Sequence, residues 1–313
     1  MNLLDTAFYL VLNMSITASA IGLPLLILRR FKAFPRFAAY AMWSLVFIRL
    51  VLPFAFSSEI SFFNFTGDLV KKVVAVPAPL PERTDLTVSN FVGAADSYFP
   101  VTYKSELLGD IFGAAACVWI LVASLGLVAC LVLYCITGSR LRRARHIAGN
   151  MYQSSLVSSP IVFGIFRQKV IVPPGFAMEE DGMKYVLLHE GVHMKRHDGL
   201  WRLAGICAAC LHWFNPFVWI YLRIFFEDME LACDTEVIKG LPAEERKEYA
   251  RTLVNFAAGR EMFLSTAFGG SAVKVRVLNV MDYKRNRAVV VLLFVLFLAV
   301  TALALLTNPV YGG

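Results

Sequence analysis

Charge is scarce in this sequence. Only 17% of its 313 residues are Asp, Glu, Lys or Arg, against 58% that are hydrophobic, a balance that excludes an ordinary soluble globule. A disulfide framework is also missing. The six cysteines, Cys117, Cys130, Cys135, Cys207, Cys210 and Cys233, fall in apolar windows or on the side expected to be cytoplasmic, where thiols stay reduced. Cys207-Ala-Ala-Cys210 has redox or metal spacing but no second cysteine pair to complete a site, so it reads as small packing residues in an apolar helix. No internal repeat is visible, and no single basic patch gathers the net charge of +7, so nucleic acid is excluded as a direct partner.

What the chain does have is long hydrophobic runs. Four windows, Leu4 to Leu28, Phe37 to Phe56, Gly113 to Ile136 and Ala288 to Leu306, are each long enough to cross roughly 30 Å of hydrocarbon as a helix. Arg49 lies in the second and must face the bundle interior or a partner. The basic residues cluster beside these windows, as Arg29, Arg30, Lys32 and Arg36, as Arg140, Arg142, Arg143 and Arg145, and as Lys284, Arg285 and Arg287. The positive-inside rule makes all three clusters cytoplasmic. Ala18-Ser19-Ala20 resembles a signal-peptidase site, but no basic n-region precedes it, so the first window is expected to stay as an anchor.

The expected organisation is two transmembrane helices over 1–56, an extracellular loop over 57–110 and a third transmembrane helix over 111–136. A cytoplasmic domain over 137–287, a fourth transmembrane helix over 288–306 and a short outer tail over 307–313 follow. The fold class is mainly α: a polytopic membrane protein with a cytoplasmic α+β domain. The outer loop carries a stiff Pro77-Ala-Pro-Leu-Pro81 run. Strand character is predicted over Ser154 to Ser158, Ile161 to Phe163 and Lys169 to Val172, giving a small sheet or hairpin. From Glu179 the apolar spacing turns helical. The run Leu203 to Leu222 is apolar enough to compete as a fifth span, but Asn215-Pro216 favours a turn. A helical hairpin, Trp201 to Trp213 then Pro216 to about Lys239, is therefore expected, lying against or dipping into the bilayer.

The chemistry lies on either side of that hairpin. In "LLHEGVHMKRHD", residues 187 to 198, His189 and His193 stand at i and i+4 on one helical face, so both imidazoles can reach one zinc ion. Glu190 is placed to act as the base. His197, eight residues after His189, would lie roughly 12 Å along the helix and is too far to share the metal; with Asp198 it reads as a helix-end pair or a support for the ligands. In "FFEDMELACDTEV", residues 225 to 237, Glu230 and Asp234 are again i and i+4, so one carboxylate can bind the metal while the other takes the free ring N–H of a ligating histidine. Glu227 is one turn earlier and is the alternative. His-Glu-x-x-His followed by Glu-x-x-x-Asp is the gluzincin arrangement.

The sequence resembles the BlaR/MecR membrane metallopeptidases, bacterial transducers of beta-lactam and related signals. "IRLVLPF", "SPIVFGIFRQKVIVPP", "HEGVHMKRHD", "NPFVWI", "ELACD" and "TAFGGS" carry the resemblance, which covers nearly the whole chain. It implies four spans in the bacterial plasma membrane and a cytoplasmic gluzincin-type domain, with one zinc held by His189, His193 and Glu230. Glu190 would be the general base and Asp234 the orienting carboxylate. It also implies a cytoplasmic transcriptional repressor as substrate, with self-cleavage besides. The flexible 265–276 loop, at Ser271 and Ala272, is the expected self-cleavage segment. Membrane lipid and a second copy of the chain complete the expected partners.

The family's antibiotic sensors carry a penicillin-binding domain after the last span, whereas this chain runs only seven residues beyond Leu306. Its one Ser-x-x-Lys, Ser271 to Lys274, lacks a Lys-Thr-Gly element and reads as a chance match. The chain is thus expected to be a truncated sensor or a relative whose stimulus enters by another route. The strand near Ile161 to Gly164 is expected to hold an extended substrate by edge pairing. The oxyanion-stabilising group is left open among His212, Arg223 and several tyrosines. Two other readings share the zinc motifs: a housekeeping protease of the HtpX or CAAX-processing type, and a receptor whose zinc is only structural.

Overall fold

The computed structural model describes residues 3–30, 35–52, 54–56, 86–88, 106–157, 159–174, 181–261, 269–283 and 288–306. The chain divides into two compact units. One comprises Met1–Leu127, Ile206–Arg223 and Arg287–Gly313, the other Val128–Gly205 and Ile224–Asn286.

In the first unit, α1 (Leu3–Leu28) lies against α2 (Arg36–Val51), and α2 against α9 (Ala288–Leu306). Polar side chains inside α1 bond back to their own helix: Thr17 Oγ1 donates to the Asn13 carbonyl at 2.8 Å and Ser19 Oγ to that of Ser15 at 2.8 Å. Helix α2 ends five residues before the end of the apolar window it occupies. Leu52 is extended, with φ −99° and ψ 110°, because the proline at 53 disfavours helical geometry in the residue before it. Residues Phe54–Phe56, expected inside the second span, instead form strand β1, antiparallel to β2 (Leu86–Val88). The Pro77 to Pro81 run lies outside the described residues.

Helix α3 (Glu106–Leu141) extends past the predicted 113–136 window at both ends. Two helices among the described residues are long and apolar enough to cross a membrane: Leu3–Leu28, and α3 from Asp110 to Leu141.

The expected hairpin forms as α5 (Asp198–Leu211) and α6 (Pro216–Lys239). Asn215 sets the break: its Oδ1 accepts the Phe217 N–H at 2.9 Å, and Pro216 occupies the first helical position, where a missing N–H costs nothing. Asn215 Nδ2 also donates to Ser15 Oγ and Ser19 Oγ, each at 2.7 Å, and Tyr221 donates to the Ser19 carbonyl at 2.7 Å. The 206–223 segment is thereby bonded into α1. Gly22 is required there, since a Cβ would overlap the buried Tyr221 ring.

The second unit contains a four-stranded sheet in the order β3 (Arg145–Ala148), β4 (Met151–Gln153), β6 (Lys169–Val172), β5 (Ile161–Phe163). Strands β4 and β6 run parallel, and the other pairs antiparallel. The strand expected from Ser154 is displaced to Met151–Gln153, because the Arg145–Ala148 segment supplies a hairpin partner through the turn at Gly149, where φ is +54°. Helices α4 (Asp181–Arg196), α7 (Ala243–Glu261) and α8 (Gly269–Met281) complete the unit. Their shared core gathers Tyr185 from α4, Val237 and Ile238 from α6, Tyr249 and Ala250 from α7, and Val280 from α8.

Candidate metal centre

Helix α4 carries His189, Glu190 and His193 in its last two turns. It stops at His197, whose φ of +54° is left-handed, a conformation in which histidine is enriched among non-glycine residues. That turn sends the chain back so that Asp198, 1% exposed, accepts from His193 Nδ1 at 2.6 Å. Asp198 is therefore a support for a candidate ligand, and His197 is the helix-ending residue.

The other histidine is held through a relay. His189 Nδ1 lies 3.0 Å from the Tyr249 hydroxyl, which donates to Asp234 Oδ1 at 2.6 Å; the direct His189 to Asp234 separation is 3.3 Å. With both Nδ1 atoms so engaged, both Nε2 atoms face inward, 3.1 Å apart. Glu230, on α6, places Oε2 3.4 Å from His189 Nε2 and Oε1 3.5 Å from His193 Nε2. Tetrahedral ligands at 2.0–2.1 Å from zinc stand roughly 3.3 Å from one another. The three donor groups fit such an ion. Cys233 also lies close, its thiol within 4.8 Å of donor atoms of both histidines. It contacts His189 at Nδ1 (3.5 Å) and at its carbonyl (3.4 Å), the side also engaged by Tyr249 and Asp234, whereas the Glu230 oxygens face the two Nε2 atoms.

Two arginines complete the cluster. Arg202 of α5 bonds Glu230 Oε1. Arg276 of α8 grips Asp234 with two bonds, Nε to Oδ2 at 2.8 Å and Nη2 to Oδ1 at 2.7 Å, and sets Nη1 3.2 Å from Glu230 Oε2. Burial alone would raise the Glu230 carboxyl, but its bonding to the two histidines and the Arg276 charge hold it well below the usual carboxylate range. Burial would likewise raise Asp234, which Arg276 brings down to about 2. On His193, burial opposes the charge, yet bonding to Asp198, Cys233 and Glu230 raises the pKa to about 11. A ligating imidazole is neutral, so a metal ion held here would displace the protons that these bonds favour on the histidines. Glu190 differs: burial raises its carboxyl, against the opposing charges of His189 and His193, which suits a proton acceptor working near neutral pH.

Of the residues singled out in the sequence, His189, Glu190, His193, Glu230 and Asp234 come together here. His212, an oxyanion candidate, instead donates to the Leu50 carbonyl at 2.9 Å in the other unit. The expected 265–276 loop is corrected in part: residues 269 onward are helical, so Ser271 and Ala272 lie in the first turn of α8, while 262–268 fall outside the described residues. Tyr249, Arg202 and Arg276 carry no local motif; Arg276 is 87 residues from His189, and only packing joins them.

A buried pair of helical histidines with a carboxylate from a second helix defines the class, a metallopeptidase-type centre. The chain belongs to the BlaR1 peptidase M56 family, whose profile matches residues 9–280. It is similar to "Regulatory protein BlaR1" of Bacillus licheniformis, 32% identical over 139 residues, covering 42% of this chain and 23% of that protein. It is also similar to "Methicillin resistance mecR1 protein" of Staphylococcus aureus, 22% identical over 242 residues, covering 69% of this chain and 40% of that one. "Regulatory protein BlaR1" of Staphylococcus aureus is 25% identical over 152 residues, covering 46% and 26%. The matched stretches therefore span less than half the length of these relatives.

Proposed function

We propose that this protein is a membrane-embedded zinc metalloendopeptidase of gluzincin type that transduces a signal by cutting a cytoplasmic protein, a transcriptional repressor in our reading. The observation that carries the proposal is the 3.1 Å approach of His189 Nε2 and His193 Nε2 beside Glu230, with Glu190 on the same helix. His189, His193 and Glu230 would hold the ion. Zinc, when bound, supplies a Lewis acid that polarises the scissile carbonyl and makes water nucleophilic near neutral pH. Glu190 takes the proton from the attacking water and delivers it to the departing amine. Strand β5 pairs only with β6 among the described residues and lies next to α4. Its free edge can hold an extended substrate by backbone hydrogen bonds, as β-strand addition requires.

Four spans with the peptidase unit in the cytoplasm are part of the proposal. Helix α9 has 19 residues, all apolar but Thr301, about 28 Å of rise, close to one hydrocarbon thickness, and basic residues precede it. The relatives' names, regulatory and resistance proteins, support the signalling role. Self-cleavage at Ser271–Ala272 requires the first turn of α8 to unwind, since a protease takes its substrate extended. The test compares new protein N-termini in cells carrying the wild-type chain and Glu190→Gln, with the zinc content of each purified chain. Glu190→Gln should keep its zinc and lose the wild-type cleavage products, at least 10²-fold. Products on a DNA-binding protein support the repressor reading, and unchanged products in the variant end the peptidase reading.

A further inference from the structure

The hydrogen-bond donors on Arg276 are not used up by the carboxylate that anchors it. Its guanidinium has five N–H groups in a rigid plane. Asp234 takes one from Nε and one from Nη2, fixing the plane edge-on. Both Nη atoms also approach the candidate metal donors: Nη2 is 3.3 Å from His189 Nε2, and Nη1 is 3.2 Å from Glu230 Oε2. These separations match those among the donor atoms themselves. An oxygen seated among those atoms would therefore lie within hydrogen-bonding reach of an Arg276 N–H.

The arrangement is built in advance of any substrate. Helix α8 is fixed by Val280, 1% exposed in the shared core, with Val277 packed beside it. Asn279 donates to the Leu231 carbonyl at 3.2 Å and to Thr235 Oγ1 at 3.3 Å on α6. One face of α8 thus holds Arg276, Asn279 and Val280 against the helix that supplies Glu230 and Asp234. Electrostatic catalysis needs donors held where negative charge will develop, with no reorganisation during the reaction.

We propose that Arg276 is the residue that hydrogen-bonds the scissile carbonyl oxygen as it gains negative charge during peptide hydrolysis. The assignment rests on the metallopeptidase reading above. As water adds to the carbonyl carbon, the C=O π electrons move to oxygen, and an Arg276 N–H stabilises that oxygen without giving up its proton. When the tetrahedral species collapses, the C=O re-forms, the C–N bond breaks and Glu190 delivers the proton taken from water to the amine. Arg276 returns unchanged.

The test uses the full chain in nanodiscs with fluorogenic casein as substrate and phosphoramidon as a tetrahedral analogue, comparing wild type, Arg276→Met, Arg276→Lys and Glu190→Gln. Zinc content and calorimetric phosphoramidon affinity are read beside kcat and KM. Arg276→Met should keep one zinc and a KM within about threefold, lose about 10²–10³-fold in kcat, and lose phosphoramidon affinity to a comparable extent. Arg276→Lys should recover part of both, which a purely architectural role would not give. Zinc loss in parallel with activity, in Met and Lys variants alike, would make Arg276 a structural clamp and overturn the assignment, as would a kcat within tenfold of wild type. Zinc-loaded wild type that neither cuts casein nor binds phosphoramidon would overturn the peptidase reading, and this assignment with it.

Discussion

The two histidines of the centre are oriented by different devices. His193 has its own carboxylate, Asp198, delivered by the left-handed turn at His197. His189 reaches Asp234 chiefly through the Tyr249 hydroxyl, and that dependence is testable. Tyr249→Phe keeps the ring in the shared core but removes both hydrogen bonds, so zinc affinity measured by chelator competition should fall about 10–100-fold. The secondary structure should be unaltered. Unchanged affinity would mean that the direct 3.3 Å approach of Asp234 suffices to hold the imidazole.

Among the elements, α6 and α8 are joined at the centre by ion pairs. Helix α6 presents Glu230 and Asp234 one turn apart, and α8 returns Arg276 to both. The pair links pH to stability with a definite sign. Asp234 has a carboxyl pKa depressed to about 2, so its contribution is fully present above the unfolded value of about 3.9 and is lost as pH falls through the folded one. Chelator-treated protein should therefore lose roughly 2 kcal/mol between about pH 4 and pH 2. Asp234→Asn should remove that increment of acid sensitivity. Denaturant titrations across this window check it, and identical acid profiles for variant and wild type would contradict it. In the first unit, the pairing of Gly22 with Tyr221 shows the same reliance on close helix contact.

For the whole molecule, orientation is the proposal that labelling can settle. Leu156, 59% exposed in the second unit, should react as Leu156→Cys with an impermeant maleimide in inside-out vesicles and stay unlabelled in right-side-out ones, in a background with exposed Cys117 and Cys135 replaced. The reverse pattern would place the peptidase unit outside. Apolar windows and hydrophobic periodicity made the helices legible, because burial in lipid or against a neighbour imposes composition along a contiguous stretch. The end of α2 was not legible from hydropathy alone, because the proline at 53 acts on backbone geometry without changing apolar character. The His189/His193 and Glu230/Asp234 pairs could likewise be read from spacing, since 3.6 residues per turn places i and i+4 side by side whatever the rest of the chain does. Tyr249, Arg202 and Arg276 belong to the tertiary structure, which also chose for Asp198 between the two roles its sequence position offered. Their side chains meet the centre only after α5, α7 and α8 have packed on α4 and α6, and no local periodicity records a contact made across 60 or 87 residues of chain.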